Sequence, residues 1–439
     1  MSTTINISAL DCLPFKEKEA SGDVIAHFIK KCQNAVFWFN PFFEKDQDDS
    51  PLAEYDYKQH QWRAGRFIGE ANFDFQGQNY HLSIKPRFGE DVLLKMLEQI
   101  FNIRISPSQT KSQHNSDWQH FIKRLIAIIW VQHLANANLH GLPKRTVKRQ
   151  HQSIQVRGRI DVRKSIKPLK TKSELVSHSY EKTIDSDIIS IVHEAYHILK
   201  TDFDLGSSQL NLPNSAQTAL NQIFESKIPR KHISYRQYQQ VKYKAIYSSW
   251  KPLVDFSWDI IFQKQQGLKQ DQKSKGFGFF LDMAEIWEQY LRSLLQKNLL
   301  PLRWNLKKTT SVAYEGYFFK RQLIPDLVFE NEDQAIIWDA KYKRMQAHYK
   351  DIDRSDFFQI HTYLLSYTHK DIKIGGLLYP FTINEGYQED KFRSPYLLSP
   401  DGINTSFGID GIELKHEMET EDFRKKESEF LQRIISDVT

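Results

Sequence analysis

The sequence predicts an α/β (α+β) protein of several domains, in which a β-rich and helical N-terminal region precedes a C-terminal α/β core. Its 439 residues exceed the usual size of one domain. Apolar and polar residues alternate in residues 66–86, as in strands, and helical periodicity takes over in residues 91–101 and 117–137. After residue 280, a helix, three strand-like runs, a second helix and a further strand follow in order. This order is typical of a mixed sheet flanked by helices.

The first region, residues 1–110, is predicted to be rich in strands. Phe75 and the residues before it alternate with polar positions, and the alternation resumes at Tyr80 after Gly77. A glycine between two alternating runs is a hairpin signal, so we expect the chain to reverse there. Residues 91–101 then place Leu93 and four other apolar residues on one side of a short helix.

The second region, residues 111–265, is predicted to be helical with a basic hairpin. One helix is expected at residues 117–137 and another at 186–200, and residues 210–231 are interpreted as a polar connector. The Gln/Lys-rich stretch 264–276 has almost no large aliphatic residues, which is typical of a linker.

The third region, residues 266–439, is predicted to be the α/β core. Its elements are expected as a helix at 281–300, strands at 312–319, 323–329 and 335–342, a helix at 355–367, a strand at 372–379 and a helix at 420–435.

Composition and charge exclude several classes of protein. Only Cys12 and Cys32 are present, which rules out a disulfide framework or a Cys-rich zinc site. The N-terminus lacks a basic stretch followed by an apolar one, and no apolar run approaches the roughly 20 residues that span a bilayer. We therefore expect a cytoplasmic protein with no membrane contact.

Residues 144–172, called the basic segment below, hold eleven Lys or Arg and a single acid, Asp161. Arg157, Arg159 and Arg163 are predicted to alternate along a strand and to share one face. Such a surface suits a nucleic-acid backbone or an acidic protein partner, and a solvated basic face is the alternative.

A zinc-protease signature, H-E-x-x-H, occurs at His193, Glu194 and His197. Its extension fails, because Lys200 and Phe203 stand where glycine and a third histidine are needed. A distant ligand such as Glu225 has no spacing in its favour. An amphipathic helix is therefore the preferred interpretation, and a zinc protease is a remote alternative.

A stronger signal for chemistry lies in residues 323–345. Asp326 lies on one predicted strand, and Asp339 and Lys341 share a face of the next. Two carboxylates form an oxygen-rich site for Mg²⁺, with Mn²⁺ as an alternative, and a metal-bound water can attack a phosphodiester. Lys341 can orient that water or stabilise the transition state. The alternatives are a strand cap for Asp326 and an exposed ion pair for Asp339 and Lys341.

Three further residues extend this candidate site. Glu288 lies on the helix before it and is a possible third acid and metal ligand. Gln359 and Tyr363 are spaced i, i+4 on the helix after it and share a face, where they can orient the site or touch DNA. A hydrogen bond at the edge of the core is the alternative for this pair.

The succession Glu288, Asp326, Asp339-x-Lys341, Gln359-x-x-x-Tyr363 resembles the PD-(D/E)xK nuclease superfamily. Over residues 65–380 the chain resembles the McrC family, the endonuclease subunits of McrBC modification-dependent restriction systems. The further segments that carry this resemblance are GRFIG (65–69), IKPRFG (84–89), RGRID (157–161), FLDM (280–283) and GGLLYP (375–380).

The resemblance implies an Mg²⁺-dependent DNA endonuclease subunit that acts in phage defence. It also implies a PD-(D/E)xK fold at the C-terminus and a region at residues 1–110 that docks a partner protein. Its partners would be double-stranded, modified DNA and an McrB-like AAA+ GTPase, whose GTP hydrolysis it would stimulate. The chain has no phosphate-binding loop of the G-x-x-x-x-G-K-[ST] type, so we expect it to bind no nucleotide itself. A non-catalytic adaptor with a degenerate nuclease fold is the alternative from a different class.

Overall fold

A computed structural model describes most of the chain: residues 4–16, 22–32, 37–39, 51–101, 116–202, 212–269, 278–343, 345–346, 353–382, 393–395 and 405–439. The chain forms two compact units. Residues 1–107 and 270–439 make up one unit, and residues 108–269 make up the other. The two ends of the chain thus share a unit, whereas the sequence analysis separates them after residues 110 and 265.

Within the described residues, the N-terminal part of the first unit contains these strands and α-helices: β1 (Ile5–Leu10), α1 (Gly22–His27), β2 (Phe37–Phe39), β3 (Ala53–Asp56), β4 (Gln61–Ala64), β5 (Phe67–Phe75), β6 (Gln78–Lys85) and α2 (Glu90–Phe101). The predicted hairpin is confirmed, because β5 pairs antiparallel with β6 across Gln76 and Gly77. Both turn residues have positive φ, 53° and 78°, which is the geometry of a tight two-residue hairpin loop.

The second unit contains these elements: α3 (Ser116–Ala137), β7 (Lys144–Ser153), β8 (Arg159–Ile160), α4 (Val162–Lys172), β9 (Leu175–Ile184), α5 (Ser186–Asp202), α6 (Asn214–Glu225), α7 (Tyr235–Gln239) and α8 (Trp250–Lys269). Helix α3 contacts α6 and α8, and α5 contacts α8. The polar connector predicted at residues 210–231 is wrong, because α6 lies within it. Ala216, Ala219, Leu220 and Ile223 are buried on one side of α6, a pattern that its many polar residues obscure.

The basic segment folds differently from the prediction. Strands β7, β9 and β8 form a three-stranded sheet in that order, but the strand expected to carry Arg157, Arg159 and Arg163 is interrupted. Arg157 lies in a loop, Arg159 lies on β8, and Arg163 lies in helix α4. Asp161 ends the strand, since its side chain accepts the Lys164 N–H at 3.1 Å and caps the helix. All three arginines are exposed, but they do not share a strand face.

The C-terminal part of the first unit contains these elements: β10 (Gly278–Asp282), α9 (Met283–Leu299), β11 (Asn305–Lys307), β12 (Ser311–Glu315), β13 (Lys320–Leu323), β14 (Leu327–Glu330), β15 (Gln334–Ala340), β16 (Met345–Gln346), α10 (Arg354–Ser366), β17 (Asp371–Thr382), β18 (Arg393–Pro395), β19 (Ser406–Glu413) and α11 (Thr420–Val438). The helix predicted from residue 281 begins two residues later, because residues 278–282 extend as β10.

Two sheets organise the first unit. The N-terminal sheet has the order β1-β6-β5-β10-β2, so β10 completes it from the far end of the sequence. The C-terminal sheet has seven strands, β11-β14-β15-β17-β19-β18 with β16 beside β17, and it mixes parallel and antiparallel pairs. Helix α10 packs on the sheet through a core that includes Ile337, Ile360 and Leu377.

The predicted fold class is confirmed as a mixed α/β protein of more than one domain, with a helix-flanked mixed sheet at the C-terminus. No helix in the described part of the chain combines the length and the apolar character needed to span a bilayer.

Candidate active site

The pairing of β14 with β15 brings the two predicted aspartates together. Leu327 pairs with Trp338 in the antiparallel register, which puts Asp326 opposite Asp339. One carboxylate oxygen of Asp326, Oδ2, accepts the backbone N–H of Ala340 at 2.8 Å. This bond holds the Asp326 side chain at the end of β15, close to Asp339. Asp326 therefore both caps a strand end, as in the alternative interpretation, and contributes to the pair of carboxylates.

Lys341 lies one residue beyond β15 and completes the cluster. Its Nζ is 2.6 Å from Asp339 Oδ2 and donates to Gln359 Oε1 at 2.9 Å. Gln359 in turn donates to the Tyr363 hydroxyl at 2.8 Å, since the two residues share a face of α10. The alternative of an exposed ion pair is wrong, because Asp339 is fully buried.

Buried charges dominate the electrostatics of this cluster. Burial, followed by the like charges of Asp339 and Glu288, raises the pKa of Asp326 well above its ordinary value. Burial alone would lower the pKa of Lys341, but the carboxylates of Asp339 and Asp326 outweigh it and raise the pKa of the ammonium. The cluster therefore keeps a cation beside Asp339 and favours further positive charge near Asp326.

Glu288 lies on α9, at the edge of the pair of aspartates. Asp282 caps this helix by accepting the Ala284 N–H at 2.9 Å. One turn after Glu288, Arg292 donates to its carboxylate at 2.7 Å and also to the backbone oxygen of Asp326 at 2.9 Å. Arg292 is a residue that the sequence analysis missed. It holds Glu288 beside the start of β14.

The donor set at Asp326 and Asp339 fits a hard divalent cation. Both oxygens of Asp339 are buried, and neither has a well-aligned hydrogen bond within the described residues, although Lys341 forms the ion pair with Oδ2. A buried carboxylate of this kind is costly without a cation or a proton. Among the residues described, no group of three His, Cys, Asp or Glu side chains is placed to hold a metal. Two carboxylates suit Mg²⁺, which keeps several waters.

A second layer of contacts, also missed from the sequence, supports the residues after β15. Lys343 forms an ion pair with Asp356 at 2.9 Å, and the Tyr379 hydroxyl donates to the other oxygen of Asp356 at 3.2 Å. Arg87, from the turn after β6, donates to the Lys343 carbonyl oxygen at 3.1 Å. Arg87 belongs to the segment IKPRFG, which contributes to the family resemblance. Its contact with Lys343 joins residues far apart in the chain and has no local signal in the sequence.

The zinc-protease motif lies on α5 in the second unit. His193 packs its ring against Phe224, and Glu194 pairs with Arg230 at 3.0 Å. The described residues provide no third ligand beside the two histidines. These contacts suit a helix held by packing and an ion pair.

A family model and two solved structures are similar to this chain. The family model described as "McrBC 5-methylcytosine restriction system component" matches residues 63–380. This match spans most of the chain, so the protein belongs to the family of McrBC 5-methylcytosine restriction system components. A comparison with curated proteins finds no match.

Two solved structures are similar to the chain, and both come from Thermococcus gammatolerans. One is a refined half-complex from a tetradecameric assembly of McrB AAA+ hexamers with bound McrC. It has 13% identity and a TM-score of 0.47, and the match covers 98% of this chain and 100% of that chain. The other is the McrBC complex determined by cryo-EM, with 13% identity, a TM-score of 0.33 and coverage of 68% and 88%. Both TM-scores are below 0.5, so the family assignment rests on the match to the family model.

Proposed function

We propose that this protein is the DNA endonuclease subunit of an McrBC-like restriction system, with a PD-(D/E)xK active site at Asp326, Asp339 and Lys341. The observation that carries the proposal is the cluster at the end of β15, where Lys341 bridges the buried Asp339 and the exposed Gln359 at 2.6 and 2.9 Å. Two acids and a lysine at adjoining strand ends are the groups that phosphodiester hydrolysis requires.

Each residue has a distinct role in this proposal. Asp326 and Asp339 would hold Mg²⁺ or Mn²⁺, with Glu288 as an auxiliary acid. When bound, the cation supplies a more acidic water and positive charge against the phosphate. The Lys341 ammonium stabilises negative charge on the phosphate oxygens, and Gln359 sets its position. Tyr363 holds the amide of Gln359 in the orientation that leaves its oxygen facing Lys341.

The proposal includes an AAA+ GTPase partner and modified double-stranded DNA. Its support is membership of a family whose system acts on 5-methylcytosine, together with a sequence that lacks a phosphate-binding loop. The basic segment is the proposed surface for the partner, with DNA as the alternative, because its charge is concentrated on exposed residues of β7, β8 and α4.

A cleavage assay tests the proposal. The chain is purified with an McrB-like AAA+ GTPase from the same host and given methylated plasmid, GTP and Mg²⁺. We expect cleavage that EDTA stops, and little cleavage by the chain alone. Asp339→Asn should lower the rate by about 10³-fold, because several kcal/mol of charge stabilisation depend on the metal site. Asp333→Asn, which changes an exposed acid in the turn before β15, should have no effect.

Undiminished cleavage by the purified Asp339→Asn complex would refute the active site. A complex that never cleaves DNA, but whose GTPase responds to this chain, would instead establish the adaptor alternative.

A further inference from the structure

A small hairpin stands out from the first unit just before Asp326. Strands β12 and β13 pair only with each other among the described strands. The side chains of residues 312–315 and 317–322 are all exposed. The turn is closed by the Gly316 N–H, which donates to the Phe319 carbonyl oxygen at 3.0 Å.

The tip of this hairpin is aromatic. Tyr317 and Phe318 occupy the two central positions of the turn and are 98% and 93% exposed, and Phe319 is 60% exposed. Turn centres ordinarily hold Gly, Pro, Asn, Asp or Ser. Neighbouring apolar rings that are fully exposed at a tip mark a binding element better than single exposed apolar residues do. The Tyr317 and Phe318 rings lie edge to face at 5.5 Å, so they form one continuous wedge.

The flanks of the hairpin are basic. Residues 303–321 contain five Lys or Arg and one acid, Glu315. That acid is paired with Lys320 at 3.0 Å. Lys307 precedes the hairpin, and Arg321 follows its tip, and both are exposed. An aromatic tip between exposed cations complements a nucleic acid, which offers stacked bases inside a phosphate backbone.

The hairpin is also tied closely to the candidate active site. Strand β13 ends at Leu323, and Asp326 is the third residue after it. Three residues span at most about 11 Å, which is roughly three base-pair steps along a duplex. The strands of the hairpin, four or five residues long, extend about 15 Å from that base.

We propose that the β12–β13 hairpin is a DNA wedge, in which Tyr317 and Phe318 insert between bases at most about eight base-pair steps from the phosphate to be cut. The inference rests on the proposed function for the choice of DNA as the ligand. Apolar wedges of this kind unstack a base step and kink the duplex. Here Arg321 and Lys307 would hold the backbone while the rings separate the bases. The kink would turn a phosphate towards Asp326 and Asp339.

The test uses the double variant Tyr317→Ser, Phe318→Ser in the complex with its GTPase partner. Both this variant and the parent also carry Asp339→Asn, so that cleavage is negligible during the measurement. The probe is a methylated duplex with 2-aminopurine at successive positions. The parent complex should raise the fluorescence at one or two steps as bases unstack. The double variant should lose this rise and bind the duplex on the order of tenfold more weakly. Tyr57→Ser removes an 81% exposed tyrosine elsewhere in the unit and is the matched control.

Three outcomes distinguish this proposal from others. Unchanged 2-aminopurine fluorescence and unchanged affinity in the double variant would overturn the wedge, even if wild-type cleavage upholds the nuclease. If the double variant loses the fluorescence rise but the wild-type complex never cleaves DNA, the wedge is supported and the proposed nuclease activity is refuted. The third outcome is a double variant that binds DNA normally but forms a complex of different mass by light scattering. This result would show that the tip is a contact between copies of the chain, and it would also overturn the wedge.

Discussion

The guanidinium of Arg87 donates to the carbonyl oxygen of Lys343 at 3.1 Å, joining two residues that are 256 positions apart. Arg87 is nearly buried, and its guanidinium lies 4.6 Å from the ring centres of both Phe88 and Tyr342. Its backbone N–H donates to the carboxylate of Asp11 at 2.5 Å. The N-terminal sheet therefore reaches the segment that begins with Lys341.

Arg87→Met should uncouple that segment from the N-terminal sheet. It leaves the buried carboxylate of Asp11 without its cation, which costs about 3 kcal/mol of stability. Displacement of Lys341 by even 1 Å should reduce cleavage by about 10²-fold. Unfolding curves and cleavage rates measure the two effects.

The matched control is Arg63→Met, which removes an arginine paired with Asp56 in the β3–β4 hairpin. Adding Asp11→Asn to Arg87→Met should recover part of the stability, but not the cleavage rate. If cleavage by Arg87→Met in a folded complex equals that of wild type, Arg87 does not position Lys341.

Gln359→Leu should impair cleavage without abolishing it. This change removes the amide oxygen that accepts a hydrogen bond from Lys341. The ammonium is then held less firmly beside Asp339. Groups that orient a metal site typically contribute about 10–100-fold, and we expect a loss in that range, whereas Lys341→Met should be far more severe. Thr362→Val, on an exposed position of the same helix, is the control. Single-turnover cleavage rates decide the matter, and equal rates for Gln359→Leu and wild type would contradict the proposed role.

Charge reversal in the basic segment should prevent assembly with the GTPase. We predict that Arg157→Glu, Arg159→Glu and Arg163→Glu together weaken partner binding and abolish stimulation of GTP hydrolysis, because complementary charge guides association. The control reverses three exposed cations elsewhere, at Lys415, Arg424 and Lys425. Binding is measured by titration at several salt concentrations. Full stimulation by the triple variant would make the segment a solvated surface.

The stability of the second unit should depend on Asp259. Burial, and then Asp255 one helical turn away, raise the pKa of Asp259 to about 7. The folded state favours the protonated acid, so its contribution to stability is full below pH 4 and is lost as the pH rises through 7. Asp259→Asn should therefore raise the melting temperature by a few degrees at pH 8 and little at pH 4.5. An equal shift at both pH values would contradict this prediction.

Local signals in the sequence predicted much of the C-terminal core. The strand bearing Asp339 and the helix bearing Gln359 follow from alternation and from helical spacing, and both lie where expected within two residues. The close approach of Asp326 to Asp339 also follows, because a short turn joins adjacent antiparallel strands. Local periodicity was sufficient here because neighbours in sequence are neighbours in space.

The errors arose where distant contacts or single capping residues decide the structure. Asp161 starts a helix within the basic segment, although Val156, Ile160 and Val162 suggested a continuing strand. The i, i+4 spacing of Glu288 and Arg292 is visible in the sequence, but the contacts of Arg292 and Arg87 with backbone oxygens leave no pattern of side chains to detect. The bond from Arg87 to Lys343 depends on the final packing of elements that are far apart in the chain.

Strand β10 has a consequence for how the protein is made. It lies between β5 and β2 in the N-terminal sheet, paired with both, yet it is encoded after the whole of residues 108–269. During synthesis, the N-terminal sheet cannot be completed until β10 has been translated. The intervening unit is translated before β10 and can fold first. A released chain that ends at residue 269 should therefore hold a folded second unit together with a protease-sensitive N-terminus, and extension of the chain past residue 282 should make that N-terminus resistant.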